Sequence, residues 1–114
     1  MGLLNTYRDW IVSQMSGFDY VGLGDGTTAE DQTQTGLQGS NTHYEQADSG
    51  YPSISGNTLT TRITVAPADA QFAWEEVVIC DGTPGQVANR DVIPFGTKGN
   101  VEWELELEFT LELA

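Results

Sequence analysis

From residue 101 to 113 the chain alternates apolar and polar positions without a miss. Val101, Trp103, Leu105, Leu107, Phe109, Leu111 and Leu113 form one set, and Glu102, Glu104, Glu106, Glu108, Thr110 and Glu112 the other. A period of two puts the sets on opposite faces of a strand, whereas a helix would scatter the apolar residues around its circumference. The pattern predicts a long C-terminal strand with one dry face and one face that is a comb of acids. Residues 58–66 alternate in the same way, with Leu59, Thr61, Ile63 and Val65 sharing a face until Pro67-Ala68-Asp69 breaks the run. Residues 72–80 form a further strand of ambiguous phase. Phe72, Trp74, Val78 and Cys80 favour one face, Val77 and Ile79 the other. Burial on both sides, or a bulge near Glu75-Glu76, resolves that conflict. Asp81-Gly82-Thr83-Pro84-Gly85 is a turn cluster, residues 86–95 are the partner strand, and Gly96 to Asn100 turn into the comb.

At the other end the period is helical. Leu3, Leu4, Tyr7, Trp10, Ile11 and Met15 form an i, i+3, i+4, i+7 stripe that predicts an amphipathic helix over 3–16, stopped by Gly17 and packed on a sheet. A strand over 18–23 follows. Residues 24–57 then lose periodicity and turn rich in Gly, Thr, Gln, Ser and Asp, with only Leu37, Tyr44, Tyr51 and Ile54 as anchors. A segment this long without a period reads as an extended, loop-rich arm ordered by assembly, with a short strand near 43–46. The antiparallel strands of 58–114 complete a single domain. Short strands joined by Gly and Pro turns make it an all-β antiparallel sandwich, jelly-roll-like, with the helix as an addition.

Charge adds a solvent to this architecture. The formal net charge is −13, and the only basic residues are Arg8, Arg62, Arg90 and Lys98. The acids run the whole length and are accompanied by a full set of aromatics, so the chain is a folded domain with an acidic skin and not a disordered tail. Such a skin suits a salt-adapted host. Same-face neighbours on the comb lie roughly 7 Å apart, and their repulsion fades at molar salt, where the screening length falls to about 3 Å. Nucleic acid is excluded as a partner because no basic footprint exists to replace phosphate counterions. The chain has no stretch resembling a membrane span and no signal-peptide pattern, which implies synthesis in the cytoplasm and no membrane partner. The single cysteine, Cys80, follows the apolar run Val77-Val78-Ile79 and reads as a buried structural thiol.

Little in the sequence carries catalysis. Gly22-Leu23-Gly24-Asp25-Gly26 looks like a phosphate loop, but such a loop must open a helix and Thr27 onward is irregular. It reads as a strand end and tight turn. His43 is the only histidine, and no Cys/His cluster has zinc-ligand spacing. Asp25, Glu30 and Asp31 share one Gly-rich loop and are the candidate ligands for a hard divalent cation, although the EF-hand spacing is missing. Otherwise the expectation is no cofactor beyond loosely held Na, K, Mg or Ca ions.

One order of elements resembles a known family. A helix is followed by a strand ending in Val-Gly-Leu-Gly-Asp-Gly-Thr-Thr-Ala (Val21 to Ala29), and a Thr/Gln/Gly loop leads to Leu37. An alternating strand, then Trp74-Glu75-Glu76-Val77-Val78-Ile79, a turn, Val87-Ala88-Asn89-Arg90 and an alternating final strand complete the series. This resembles the small tail-fibre-like or virion structural proteins of tailed phages and archaeal viruses. Glu30 stands where that family often has proline, Val78 where it often has glycine, and residues 43–46 replace its usual arginine-bearing stretch. With the acidic skin, the resemblance implies a tailed virus of a halophilic archaeon, and assembly in place of catalysis.

The expected function is therefore a virion structural subunit, assembled in the host cytoplasm. It would form a capsid turret, a decoration or a tail attachment, as a homo-oligomer (trimer or pentamer) beside other capsid or tail proteins. Tyr44, Tyr51, Leu37 and Ile54 of the arm are the expected subunit contacts, since tyrosine is enriched at interface cores. The alternative is a carbohydrate-binding sandwich that recognises a host surface. No enzymatic activity is expected. If the acidic skin is a salt adaptation, the melting temperature rises as salt is raised from about 0.05 to 2 M, because screening relieves self-repulsion. A melting temperature that stays flat across that range, measured by scanning calorimetry, refutes the adaptation.

Overall fold

The computed structural model describes residues 4–82 and 85–112. Its elements are a helix α1 (Asn5–Ser13) with a 3-10 turn (Gln14–Gly17), then β1 (Tyr20–Gly24), β2 (Thr42–Gln46), β3 (Ser53–Ser55), β4 (Thr58–Val65), β5 (Ala73–Cys80), β6 (Val87–Thr97) and β7 (Trp103–Thr110). They build two antiparallel sheets, one ordered β2-β1-β5-β6 and the other β3-β4-β7. The architecture is an all-β sandwich with one short N-terminal helix.

The alternating strands behave as their period requires. On β4, Leu59, Thr61, Ile63 and Val65 are buried while the residues between them are half-exposed. Across the pair, Leu107 lies opposite Thr61 and Leu105 opposite Ile63, so the apolar sides of β4 and β7 coincide. The acids coincide too. Glu104, Glu106 and Glu108 are exposed on β7, and Arg62 stands opposite Glu106 as the one cation on that face of β4. The strand is shorter than the 101–113 alternation. Val101 is exposed before β7 begins, and Leu113 lies outside the described residues. A hairpin of two turn residues joins β3 to β4, and Gly56 (φ +56°) supplies the positive φ that such a turn needs.

Ambiguous phase in β5 has a double cause. Pairing with β6 shifts register between Trp74 and Glu76, with the extra residues on β6, and Trp74 and Val77 both reach the inner core despite their odd spacing. From Glu76 to Cys80 every residue is buried. Sheet β3-β4-β7 covers the inner side, and the segment between β1 and β2 folds over the outer side of Glu76. Inside, Trp74 meets Trp103 edge-on at 4.9 Å, packed with Val21, Leu23, Ile63, Val65 and Val77. A second cluster of Val12, Met15, Leu59 and Ile79 closes the helix end of the sandwich, with Ile54, Phe109 and Leu111 against it.

The helix differs from its prediction. Only Val12 and Met15 are buried, whereas Leu4, Tyr7 and Trp10 of the expected packing stripe are exposed. The reason is geometric: α1 meets the end of the sandwich with its C-terminal part, where Ile54, Leu59 and Leu111 already fill the space. Its first turns project beyond the core.

Chain crossings between the sheets need their own fastening. Lys98 is fully buried, and its ammonium donates to the carbonyls of Ala66 (2.8 Å), Pro67 (2.9 Å), Asp69 (2.8 Å) and Gly99 (3.2 Å). It thereby ties the β4–β5 crossing to the β6–β7 crossing. The same turn holds Ala70 at φ +52°, a conformation costly for a residue with a Cβ, through the Trp74 indole N–H on the Ala70 carbonyl (3.0 Å). Lys98→Met keeps the stem and removes the donors. A hydrogen bond to a charged group is worth about 1.5–3 kcal/mol, and the buried ammonium makes four, so the variant should lose at least about 3 kcal/mol in urea unfolding. A loss below about 1 kcal/mol would show that water replaces the ammonium without penalty.

Candidate functional site

Glu76 has a side chain with no solvent exposure, yet it is a carboxylate. Cross-strand register places it beside Gly24 of β1 and Val92 of β6, on the outer face of its sheet. Four donors converge on it. The amides of Gly26 and Gly39 donate to Oε2 (2.8 Å each), and the Gln38 amide (2.8 Å) and Arg90 Nε (2.8 Å) donate to Oε1. The glycines are required by this contact. A Cβ on Gly24 or Gly26 would strike the carboxylate, and one on Gly39 would strike Asp25. The Gly-x-Gly-x-Gly run of 22–26 is thus a cradle for the chain's own anion. Burial pushes the Glu76 pKa up, but the Gln38 amide, the Arg90 guanidinium and the Gly39 and Gly26 amides outweigh it and hold it below its ordinary value of 4.5.

This contact gives the 24–57 segment a hold beyond its apolar anchors Leu37, Tyr44, Tyr51 and Ile54. The segment contains β2 and β3, and its first half is held by a buried carboxylate of the same chain. Asp25 accepts from the Asn41 amide (3.1 Å) and side chain (2.7 Å), which hold its pKa down. Asp31 accepts from the Thr33 hydroxyl (2.7 Å) and amide (2.8 Å), with the same effect. Glu30 accepts from the Val92 amide (2.7 Å). These three candidate ligands are therefore engaged separately. The one group of three His, Cys, Asp or Glu residues gathered among the described residues is His43, Glu45 and Asp69.

The four expected interface residues also have work inside the chain. Tyr44 lies across Gly22, which leaves room for its ring and for Val78, and burial raises its pKa. The Tyr51 ring carries Arg62 at 5.0 Å, and Arg62 in turn donates to Asp48 (3.0 Å). Ile54 packs on the helix-end cluster, and Leu37 is half-buried. Among the described residues, the large apolar side chains left exposed are others: Leu4 (74%), Tyr7 (51%), Trp10 (54%), Ile93 and Val101. Tyr7 and Trp10 stack at 5.6 Å on the projecting helix. Their i, i+3 spacing was legible in the sequence; which way the stripe faces was not.

Beside the Glu76–Arg90 pair, a polar hollow of about 810 Å³ opens between residues 30–36 and the start of β6. Gln34 accepts from Arg90 Nη1 (3.0 Å) at its wall. Cys80 is fully buried and its thiol, pushed up by burial, donates to the Gly82 carbonyl (3.3 Å), which leaves it unsuited to nucleophilic work. Comparison with protein-family models, curated proteins and solved structures gave no match.

Glu76 makes the fold sensitive to acid in a defined window. Its folded pKa is depressed, so its contribution is fully present above the ordinary carboxylate value and fades as pH falls through the lower folded value. Glu76→Gln should cost about 3–5 kcal/mol at neutral pH, because Arg90 is left buried without its counter-charge. The same variant should flatten the loss of stability below the ordinary carboxylate range. Urea unfolding of both proteins from neutral to acid pH checks this. Parallel pH profiles would mean that Glu76 is not the titrating anchor.

Proposed function

We propose that this chain is a structural assembly subunit: a virion protein of a tailed virus from a salt-adapted host, sited on the capsid as turret or decoration, or on the tail. The observation that carries assembly is the uncovered apolar stripe of Leu4, Tyr7 and Trp10 on a helix projecting from an otherwise acidic body. Exposed apolar groups gathered on one element, rimmed by charge, mark a surface built to be covered. The virion placement rests on the sequence resemblance. The jelly-roll-like description of the sandwich belongs to the same proposal.

The subunit acts as a closed homo-oligomer, a trimer or pentamer, since cyclic closure lets identical copies cover the same patch without forming fibres. The contacts start at the helix. The residues first expected there, Tyr44, Tyr51, Leu37 and Ile54, already serve the chain's own packing and are secondary contributors. A carbohydrate-binding role is the second reading, favoured by the polar hollow, where Thr33, Gln34 and Asn89 stand beside Glu30, Asp31 and Arg90 as a mixed set of donors and acceptors for hydroxyl groups.

Native mass measured by analytical ultracentrifugation in molar KCl should report three or five copies of the chain as a discrete species, in line with closed cyclic assembly. Trp10→Asp should give a monomer with an unchanged circular dichroism spectrum, the loss of one central aromatic being worth at least about 2 kcal/mol of association. A wild-type monomer at all salt concentrations, together with binding on a glycan array, would replace the assembly reading by the second.

A further inference from the structure

β2 is an edge strand, and the residues it turns toward the other sheet are unusual for that position. Its register sets His43 opposite Leu23 and Glu45 opposite Val21. Directly opposed residues share a face, and Val21 and Leu23 belong to the inner core. The sandwich side of β2 thus carries an imidazole and a carboxylate where alternation calls for apolar side chains. Their tips meet, with His43 Nε2 and Glu45 Oε1 2.9 Å apart, and both residues are half-buried.

A third donor comes from a different element. Asp69, exposed in the β4–β5 crossing, brings a carboxylate oxygen to the same place, so that one nitrogen and two oxygens lie within 4.8 Å of one another. That crossing is already fixed. Lys98 donates to the Asp69 carbonyl, and the Asp69 amide donates to the Ala66 carbonyl (3.0 Å). The Asp69 side chain therefore projects toward β2 from a backbone that needs no ordering by a ligand.

We propose that His43, Glu45 and Asp69 form a binding site for a divalent transition-metal ion of the zinc class. One imidazole nitrogen with two carboxylates is a donor set that zinc accepts, whereas calcium and magnesium select all-oxygen cages. Two atoms bound to one zinc lie about 2.0–2.2 Å from the ion and so no more than roughly 4.4 Å apart. A small rotamer adjustment of the exposed Asp69 closes the set. Three protein ligands leave a fourth position for water or for a group from outside the chain. The bound ion would staple the edge strand β2 to the crossing between the two sheets. This inference is independent of the assembly proposal.

The test is calorimetric titration of the full chain with zinc chloride in molar KCl, where diffuse condensation on the acidic skin is screened, with magnesium chloride as control. One zinc ion per chain, a rise in melting temperature on zinc addition and no saturable magnesium binding are expected. His43→Gln and Asp69→Asn should each weaken zinc binding at least about tenfold. Asp69→Asn is the decisive variant, since that side chain is exposed and its loss leaves the metal-free melting temperature in place. Undiminished zinc binding by Asp69→Asn, equal binding of magnesium, or no saturable zinc binding by the wild type would each overturn the site. The His43–Glu45 pair would then be a polar guard on an edge strand.

Discussion

The fold is organised around a carboxylate that water cannot reach. A buried charge is tolerated only when donors replace its hydration, and Glu76 obtains them from three backbone amides and one guanidinium. Meeting that demand shapes much of the molecule. Glycines must stand at 24, 26 and 39, because side chains there would displace the carboxylate or its neighbours. The segment between β1 and β2 must return over the outer face of β5 to deliver the Gln38 and Gly39 amides. β6 must carry Arg90 at a position where its guanidinium reaches the same oxygen as Gln38. A region poor in apolar residues is thereby ordered by hydrogen bonds to one anion, which is how a loop can cover a sheet face without a core of its own.

Lys98 is the complementary case. It has no carboxylate partner among the described residues and is surrounded by carbonyl dipoles, which hold it at the junction of two crossings. The two buried cations have a consequence for the surface. Of the four basic residues in the chain, Arg90 and Lys98 are inside. Only Arg8 and Arg62 remain to face solvent, and each already contacts an acid, Asp9 at 3.0 Å and Asp48 at 3.0 Å. The outer skin is thus more nearly one-signed than the net charge of −13 alone conveys. Self-repulsion of that kind is relieved by screening and not by rearrangement.

Much of the sandwich was legible because burial of one face leaves a period. Thr58–Val65 and the core of the comb follow directly from alternation, and the mixed phase of 72–80, read as two-sided burial or a bulge, coincides with burial of every residue from Glu76 to Cys80 and a register shift between Trp74 and Glu76. What was hidden depends on partners distant in sequence. Glu76 looks like one acid among many until Gly26, Gln38 and Arg90 are brought to it by pairing. His43, Glu45 and Asp69 are separated by a sheet crossing, so no ligand spacing appears in the chain. The direction of the helix stripe was equally hidden. Periodicity shows that Leu4, Tyr7 and Trp10 share a face, but only the filled end of the sandwich decides that this face points away.

On the proposed assembly reading, the stripe and the skin act against each other at low salt and together at high salt. Bringing copies into contact at Tyr7 and Trp10 also brings their acids together, and that repulsion grows with every copy in a ring. At molar ionic strength the screening length of about 3 Å is shorter than the spacing between neighbouring carboxylates on a strand. Apolar burial needs no long-range field, and salts excluded from the protein surface strengthen it. The same solvent that relieves the comb would therefore permit association through the helix. Fold and assembly would then depend on salt through one cause, although the stripe and the comb lie on separate elements of the chain.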